Sequence, residues 1–255
     1  MKKIISTALL FVFAFSANSQ VDEKAFRFGI SGALGTAFNM STKTNANGKG
    51  IGFNYAYGMQ LEFYFSDVIG LRTGISLNSG RAKVEYNLDN DDVYLRYPQS
   101  TGQNTVEASD IIKNRTFVIN TINIPLIIKA KTPEIGYLTY FIEFGLDNDF
   151  AFRSYSTNNN IILPDGKEAE LTGDSERFDA NKEVLLYRGG LNIGLGAEYN
   201  LVGSTSIFGS INWSRPLLRT LRKESRQVFY DEFEDQKFTQ DIRMHRINLS
   251  VGILF

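Results

Sequence analysis

Eight segments of this chain alternate between large apolar residues and small or polar residues, and this two-residue period is the strongest constraint on its fold. Successive side chains of a β-strand point to opposite sides, so the alternation predicts strands with one apolar face. The segments are FRFGISGALGTAF, FNYAYGMQLEFYF, IGLRTGISLN, INIPLIIK, LTYFIEFGLD, LLYRGGLNIGLGAEY, IFGSINW and INLSVGILF. Most of them have the roughly 9–11 residues that a tilted strand needs to cross a bilayer, and we interpret all eight as crossings. Strands of soluble sandwiches are usually nearer five or six residues.

The connections between these segments alternate between long and short. The long ones are a polar stretch of about a dozen residues that includes STKTNANGKG and the stretches over roughly residues 81–113, 153–183 and 216–240, whereas SDV, TPEIG and LVGS are short. Outer-membrane barrels combine long outer loops with short periplasmic turns in this way. The sequence therefore predicts an all-β fold: an eight-stranded antiparallel up-and-down transmembrane β-barrel. We expect it in the outer membrane of a Gram-negative cell, with its long loops extracellular.

The N-terminus has the pattern of a secretory signal. Lys2 and Lys3 precede a short apolar run over residues 4–15, and small residues follow at the spacing used for cleavage. The run is too short to span a bilayer comfortably. We predict a signal peptide over residues 1–19 and a barrel domain over residues 20–255, a buried N-terminal helix being the alternative.

Charged residues fall on the inward-facing rows of the predicted strands. Eight strands enclose a space just wide enough for side chains, so an open pore is not expected. Charges in such a space must pair, because burying one alone costs several kcal/mol. We predict a salt-bridged plug, with Glu62, Arg72 and Lys129 as its main cluster near the periplasmic end; a gate or proton path is the functional alternative. The full inward set is Glu62, Arg72, Lys129, Glu143, Arg188, Glu198 and Arg246.

The last segment carries a row of large apolar residues that ends on an aromatic ring. The row consists of Ile247, Leu249, Val251, Ile253 and Phe255. It matches the assembly signal of outer-membrane proteins, which the barrel-insertion machinery reads by adding the strand to an exposed sheet edge. The alternative is an ordinary edge strand.

Two further features concern the barrel wall. Proline lacks the backbone donor of a β-ladder, so Pro125 predicts a bulge in its strand. Tyrosine and tryptophan collect at the two membrane interfaces of barrels. The candidates for these aromatic belts are Tyr137, Tyr140, Tyr187, Tyr199 and Trp213.

The segment INIPLIIKAKTPEIGYLTYFIEFGL resembles the middle of a β-barrel family common in Bacteroidetes, whose members are called porin-family or PorT-family proteins. The resemblance is carried by Ile124, Pro125, Leu126, Phe144, Gly145 and Leu146. The stretch GLRTGISLNSGRAKVEY and the terminal Phe255 are also similar to that family. The resemblance implies an outer-membrane barrel. Because PorT itself takes part in type IX protein secretion and gliding, it also implies a possible role in secretion.

Composition excludes several kinds of chemistry. The absence of cysteine rules out disulfides, thiolate catalysis and cysteine-based zinc sites. A net charge of −1 gives no basic field for nucleic acid. We predict no catalytic residue, no metal and no cofactor.

The single histidine is the one candidate for enzyme chemistry. Barrels that modify lipid A use a histidine with a serine and an acidic partner. Here Ile247 occupies the place of the serine in the deacylase pattern around His245. We expect His245 to be an interfacial aromatic next to Arg243.

Two polar loop segments are candidates for binding. Asp89, Asp91 and Asp92 are oxygen donors of the kind that Ca²⁺ binds, but they lack the spacing and glycine of an EF-hand, which favours a solvated loop. Aromatic residues interrupt the charges of RTLRKESRQVFYDEFEDQ, which makes this segment a candidate partner surface. Its aromatic residues are Phe229, Tyr230 and Phe233.

The sequence as a whole favours a non-enzymatic barrel with a plugged interior and a structural or accessory role in the envelope. A small-solute channel is the first alternative, and a lipid A-modifying enzyme is the second. The expected partners are outer-membrane lipid, the barrel-insertion machinery and other envelope or secretion proteins.

Overall fold

The computed structural model describes residues 26–41, 46–86, 111–162, 167–170, 177–222 and 241–255. The predicted signal peptide lies outside these ranges and stays a prediction. The described ranges contain no helix with the length and hydropathy required to cross a bilayer. The strands are β1 (Phe26–Ser41), β2 (Ala46–Gly48), β3 (Ile51–Tyr64), β4 (Ile69–Tyr86), β5 (Ile111–Asn123), β6 (Leu126–Lys131), β7 (Leu138–Ile162), β8 (Glu168–Glu170), β9 (Phe178–Asp179), β10 (Tyr187–Val202), β11 (Thr205–Pro216) and β12 (Ile242–Leu254).

The long strands close into one antiparallel ring. Its order is β1, β3, β4, then β5 followed by β6, β7, β10, β11 and β12, which pairs back with β1. The closing contact runs from Gly29 opposite Leu254 to Ser41 opposite Ile242. Because β5 and β6 are two halves of one crossing, the ring has eight crossing strands. The prediction of an eight-stranded up-and-down barrel is confirmed.

The two ends of the ring differ. At the turn end, residues 65–68, 132–137 and 203–204 join neighbouring strands. At the opposite, loop end, the short strand β2 pairs with β4, while β8 and β9 pair with β7. There β4, β5 and β7 extend well into stretches that the sequence pattern left as loops. The barrel wall therefore continues beyond the predicted crossings as a sheet.

Apolar side chains point outward and polar ones point inward. Ile142 is 65% exposed and Leu249 is 59% exposed, whereas Glu62 and Lys129 are each 1% exposed. A soluble protein distributes these residue types the opposite way. The outward rows are therefore a surface for lipid, as barrels in membranes require.

The strand that contains Pro125 is interrupted without a shift in register. On β4, Ser76 pairs with Asn123 of β5 and Arg72 pairs with Ile127 of β6, and both pairs belong to one continuous register. The prediction of a bulge at Pro125 is therefore wrong. Since proline has no amide hydrogen, the ladder breaks at this point and resumes without an extra residue.

A real irregularity lies further toward the loop end, between β5 and β7. Asn120 pairs with Arg153 and Thr121 pairs with Ala151, so β7 contains one extra residue at Phe152. Beyond it the facing of β7 is reversed: Arg153 is exposed and Ser154 is buried. A bulge changes strand direction and facing in this manner.

The candidate belt residues fall into two groups. Tyr137 and Tyr199 lie at the turn end with ring centroids 6.0 Å apart, and the outward-facing Tyr140 lies nearby. Tyr187 lies toward the loop end, 5.3 Å from the ring of Phe150. Trp213 also lies toward the loop end. The apolar band is thus bordered by aromatic rings at both ends, as in membrane barrels.

The close approach of β1 and β12 yields a stability prediction. A Cβ added at Gly35 would overlap the backbone carbonyl oxygen of Ile247, whereas one added at Gly32 would lie 4.0 Å from its nearest neighbour, the carbonyl oxygen of Ala56. We expect Gly35→Ala to lower the free energy of unfolding by about 1–3 kcal/mol, the usual effect of overpacking. The matched control Gly32→Ala should change it by less than about 0.5 kcal/mol. Urea titration of the refolded barrel, followed by Trp213 fluorescence, measures both; equal effects would contradict the close packing.

Candidate functional site: the charged interior

A cluster of four charges fills the lumen at the turn end; we call it the basal cluster. Lys129 on β6 donates from Nζ to Glu62 at 2.6 Å and also to Glu198. Arg27 on β1 donates from Nη1 to Glu198 at 2.7 Å and lies 3.9 Å from Glu62. Two cations thus meet two carboxylates, and none of the four residues is more than 8% exposed. Tyr64 adds a hydrogen bond from its hydroxyl to Glu62 at 2.8 Å.

Above the basal cluster, Arg72 and Glu143 form the middle pair. The guanidinium donates from Nε at 2.8 Å and from Nη2 at 3.0 Å to the two carboxylate oxygens. The sequence grouped Arg72 with Glu62 and Lys129. The structure brings Glu62 and Lys129 together but directs Arg72 across the lumen to Glu143, because Lys129 and Arg27 already surround Glu62.

Four more charges form the upper cluster. Arg246 on β12 donates from Nη2 to Asp149 at 2.7 Å and lies 3.6 Å from Asp147. Arg188 on β10 lies 4.0 Å from Asp149. Asn123 donates to Asp149 at 3.0 Å, so this carboxylate is held from several strands.

The three groups balance their charges. They contain five cations and five anions: Arg27, Arg72, Lys129, Arg188 and Arg246 against Glu62, Glu143, Asp147, Asp149 and Glu198. All seven residues of the predicted inward set are among them. The set omitted Arg27 and Asp147, although both lie on inward-facing rows of the alternation. It also omitted Asp149, which extends the inward row of β7 by one further step.

A polar cavity of about 90 Å³ lies between the middle pair and the upper cluster. Its walls include the amides of Asn123, Asn192, Asn212 and Asn248. Within the part of the chain that the structure describes, the side-chain oxygens of Asn192 and Asn212 have no hydrogen-bond partner. Since one water molecule needs at least about 10–15 Å³, the cavity is large enough for several waters beside these oxygens.

The loop end of the lumen is closed differently. Arg115 donates from Nη1 to both carboxylate oxygens of Glu183, at 2.9 and 2.8 Å, and both residues are 1% exposed. Buried apolar residues lie on the inward face here: Ala37, Ala82, Val84, Phe117, Ile119, Val184, Leu221, Ile242 and Met244. Sequence reasoning missed this outer seal, because Glu183 belongs to a stretch interpreted as a loop and Arg115 lies just beyond another.

The outward row of β12 contacts both neighbouring strands. Leu249 lies opposite Ile211 of β11 and opposite Leu34 of β1. Phe255 stacks on Phe28 with ring centroids 5.2 Å apart. The row Ile247, Leu249, Val251, Ile253 and Phe255 therefore lies on the lipid side at the ring closure. Its recognition by the insertion machinery stays a prediction.

His245 lies on the outward face of β12 between two aromatic rings. Its ring centroid is 5.4 Å from that of Phe38 and 6.4 Å from that of Trp213. The side chain is only 6% exposed, and its Nδ1 has no hydrogen-bond partner among the described residues. No serine or carboxylate in those ranges engages it.

The remaining candidate residues lie outside the described ranges. They are Asp89, Asp91, Asp92, Phe229, Tyr230 and Phe233. Within those ranges, the structure shows no group of three or more histidine, aspartate or glutamate side chains placed to hold a metal ion.

Comparison with solved structures finds other outer-membrane barrels. The outer membrane protease OmpT of Escherichia coli is 8% identical, with 94% of this chain and 99% of that chain covered and a TM-score of 0.53. OprG of Pseudomonas aeruginosa is 10% identical over 91% and 95% of the two chains, with a TM-score of 0.42. Neisserial surface protein A is 10% identical over 89% and 96%, with a TM-score of 0.38. The likeness to OmpT supports the fold alone.

The sequence itself identifies the family. No curated protein matches the chain. Residues 17–214 match the family described as the outer membrane protein beta-barrel domain. This match covers most of the chain and agrees with the closed ring, its outward apolar rows and its polar lumen. The chain therefore belongs to the outer membrane β-barrel family and is a protein of the outer membrane.

Proposed function

We propose that this protein is a closed, non-enzymatic barrel with a structural or accessory role in the envelope, acting through its extracellular side. The observation that carries the proposal is the succession of ion-paired groups that cross the lumen at several levels. From the turn end upward, the basal cluster, the middle pair, the upper cluster and the outer seal follow one another. Each ion pair of the basal cluster, middle pair and upper cluster joins two different strands, and Arg115 of the outer seal joins β5 to Glu183 in the turn between β9 and β10, so the plug is part of the wall itself.

The energetics of these pairs support a static plug. A solute that crossed the lumen would have to separate ion pairs that are largely shielded from water. Removing one partner from a buried pair costs about 3–5 kcal/mol, because the other charge is left uncompensated. Bidentate contacts such as that of Arg72 with Glu143 add geometric constraint. A small-solute channel remains the second candidate function, and the water-sized polar cavity is the observation that favours it.

A role in protein secretion is the finer form of the proposal. It is supported by the resemblance of residues 122–146 to the porin-family and PorT-family proteins of Bacteroidetes. The loop-end surface, with its sheet extension beyond the ring, offers the area that such an accessory role needs. The candidate partner segment over residues 219–236 joins β11 to β12 at this end.

The environment of His245 supports a non-enzymatic role over a lipid A-modifying one. A catalytic histidine needs a partner that sets its orientation and protonation. Phe38 and Trp213 instead enclose this ring by stacking. Such a site suits an aromatic anchor at the membrane interface.

The closed lumen predicts that the protein does not conduct ions across a membrane. We expect the folded barrel in planar bilayers to show no steady openings on the nanosiemens scale, because the charge clusters leave no continuous water path. Protease protection of the same vesicles verifies that the protein is inserted and folded. Steady openings of that size from the inserted protein would overturn the plug and favour the channel.

Removing one cation from the basal cluster is predicted to lower the stability of the barrel strongly. Lys129→Met should lower the free energy of unfolding by about 3–5 kcal/mol, because Glu62 and Glu198 would share one remaining cation. Lys131→Met is the matched control on the same strand. Lys131 is less buried and contacts the Tyr64 ring at 3.8 Å, so we expect a loss of about 1 kcal/mol or less. Urea unfolding in lipid vesicles compares the two variants; similar losses would argue against the buried network.

The accessory role predicts a separable partner surface. The triple variant Phe229→Ala, Tyr230→Ala, Phe233→Ala should insert and fold normally. It should no longer cross-link to a partner protein that the native chain captures in intact cells. Aromatic residues dominate binding energy at interfaces, so the recovered cross-link should fall about tenfold or more. The control is Phe65→Ala at the turn end, which should leave the cross-link unchanged. An unchanged cross-link in the triple variant would exclude this segment as the contact.

A further inference from the structure

We propose that a groove on the outward side of the barrel, at the loop end, binds the phosphate groups of an anionic outer-leaflet lipid. The groove is bounded by Lys49, Phe53, Arg81 and Lys83, and we call it the cationic groove. The inference concerns the outer surface alone and is independent of whether the lumen conducts.

The groove is a defined concavity. Its volume is about 480 Å³, and its walls come from β3, β4, β5, β7 and the segment between β2 and β3. Sites for small organic ligands usually occupy about 300–1,000 Å³. The backbone amide of Lys49 donates to the carbonyl of Lys83 at 3.0 Å, which fixes the β2–β3 segment beside β4. The concavity is therefore large enough for a phosphorylated sugar headgroup.

The charges around the groove are unbalanced. Lys49 is paired with Glu85, and both side chains are partly exposed. Arg81 and Lys83 form no ion pair with any residue that the structure describes. Among the described residues, three cations therefore face one carboxylate, which leaves a net positive charge in this part of the groove. Phosphate oxygens satisfy such donors with short, charge-assisted hydrogen bonds.

The spacing of the two unpaired cations suits a phosphorylated headgroup. Arg81 pairs with Val118 and Lys83 pairs with Thr116, so both belong to one outward row of β4. Residues two apart on a strand lie roughly 7 Å from each other on the same face. Two donors at that distance can engage separate oxygens of one phosphate or two neighbouring phosphates.

The position of the groove points to lipid rather than to a soluble ligand. Phe53 and Tyr55 lie beside it, with ring centroids 6.2 Å apart and both side chains outward. Further toward the turn end, β3 and β4 present Met59 and Ile75 to the lipid. Aromatic rings mark the interface of a bilayer, and Arg and Lys side chains extend from there to the headgroups. The cations thus stand at the level of the outer-leaflet headgroups.

The distribution of charge between the two ends agrees with this assignment. The loop end carries further outward cations, including Arg153 and Arg215, beyond the apolar band. The turn end exposes Asp67 and Glu134. Among the described residues, outward-facing positive charge is therefore concentrated at the loop end, and the cationic groove is its concave part.

The test is lipid binding by the detergent-purified, folded full chain, measured by native mass spectrometry in the presence of a chelator. The probes are bisphosphorylated lipid A and the same lipid without its phosphates. We expect the phosphorylated form to bind the native chain at least about tenfold more tightly, since one charge-assisted contact contributes about 1.5–3 kcal/mol. The double variant Arg81→Gln, Lys83→Gln should lose most of this difference.

The matched control is Arg215→Gln, Arg243→Gln, which removes the same charge at the loop end on β11 and β12. It should retain the native preference for phosphorylated lipid. An equal loss in both double variants would overturn the groove in favour of a diffuse basic surface. Equal binding of the two lipids by the native chain would overturn phosphate recognition.

A third arm separates the lipid from a soluble phosphate. Inorganic pyrophosphate should compete only weakly with phosphorylated lipid A, because it makes no contact with Phe53 and the outward apolar rows. Tight binding of pyrophosphate with no binding of the lipid would overturn the lipid as occupant. Heat-dependent gel mobility of each variant checks that the barrel is folded. We expect all variants to fold, because the substituted side chains point outward and are partly exposed.

Discussion

Cancellation of charge inside a narrow lumen is the interaction on which this structure depends. A ring of eight strands has no room for a bulk-like water column, so each inward charge must find an opposite one within reach. The five cations and five anions of the basal cluster, middle pair and upper cluster satisfy this condition, because their charges sum to zero. Because each ion pair joins different strands, the same contacts that make the interior electrically neutral also hold the wall in its closed form.

The outward face has a separate requirement, because it must be apolar. Every strand has to meet both requirements, one on each face. In each strand, alternate side chains face the lipid and are large and apolar. The side chains between them face the lumen and contact partners on other strands. Gly35 belongs to the inward row of β1, and there the backbones of β1 and β12 approach so closely that no side chain fits. Stability of the barrel and closure of its interior are therefore not independent properties of this chain.

The sequence alone was sufficient for much of the architecture. Two-residue alternation placed the eight crossings, the short turns and the inward facing of Glu62, Arg72, Lys129, Glu143, Arg188, Glu198 and Arg246. Alternation says which residues face inward but not which ones meet across the lumen, so it could not assign Arg72 to Glu143. It also fails where the wall ceases to border lipid: toward the loop end the inward row becomes apolar, and the pair Arg115 and Glu183 is hidden in stretches that resemble loops. At Pro125 the missing donor suggested an extra residue, yet the ladder simply skips one step.

The extra residue of β7 at Phe152 marks a boundary between two parts of the barrel that differ in their tolerance to insertions and deletions. Below it, inserting or deleting a single residue would turn lipid-facing side chains into the lumen and expose charges to hydrocarbon. Above it, the facing of β7 is already reversed, and the sheet formed by β4, β5, β7 and their short partner strands lies beyond the aromatic border of the apolar band. The extracellular part can thus be remodelled over evolutionary time while the threading of the membrane ring stays the same.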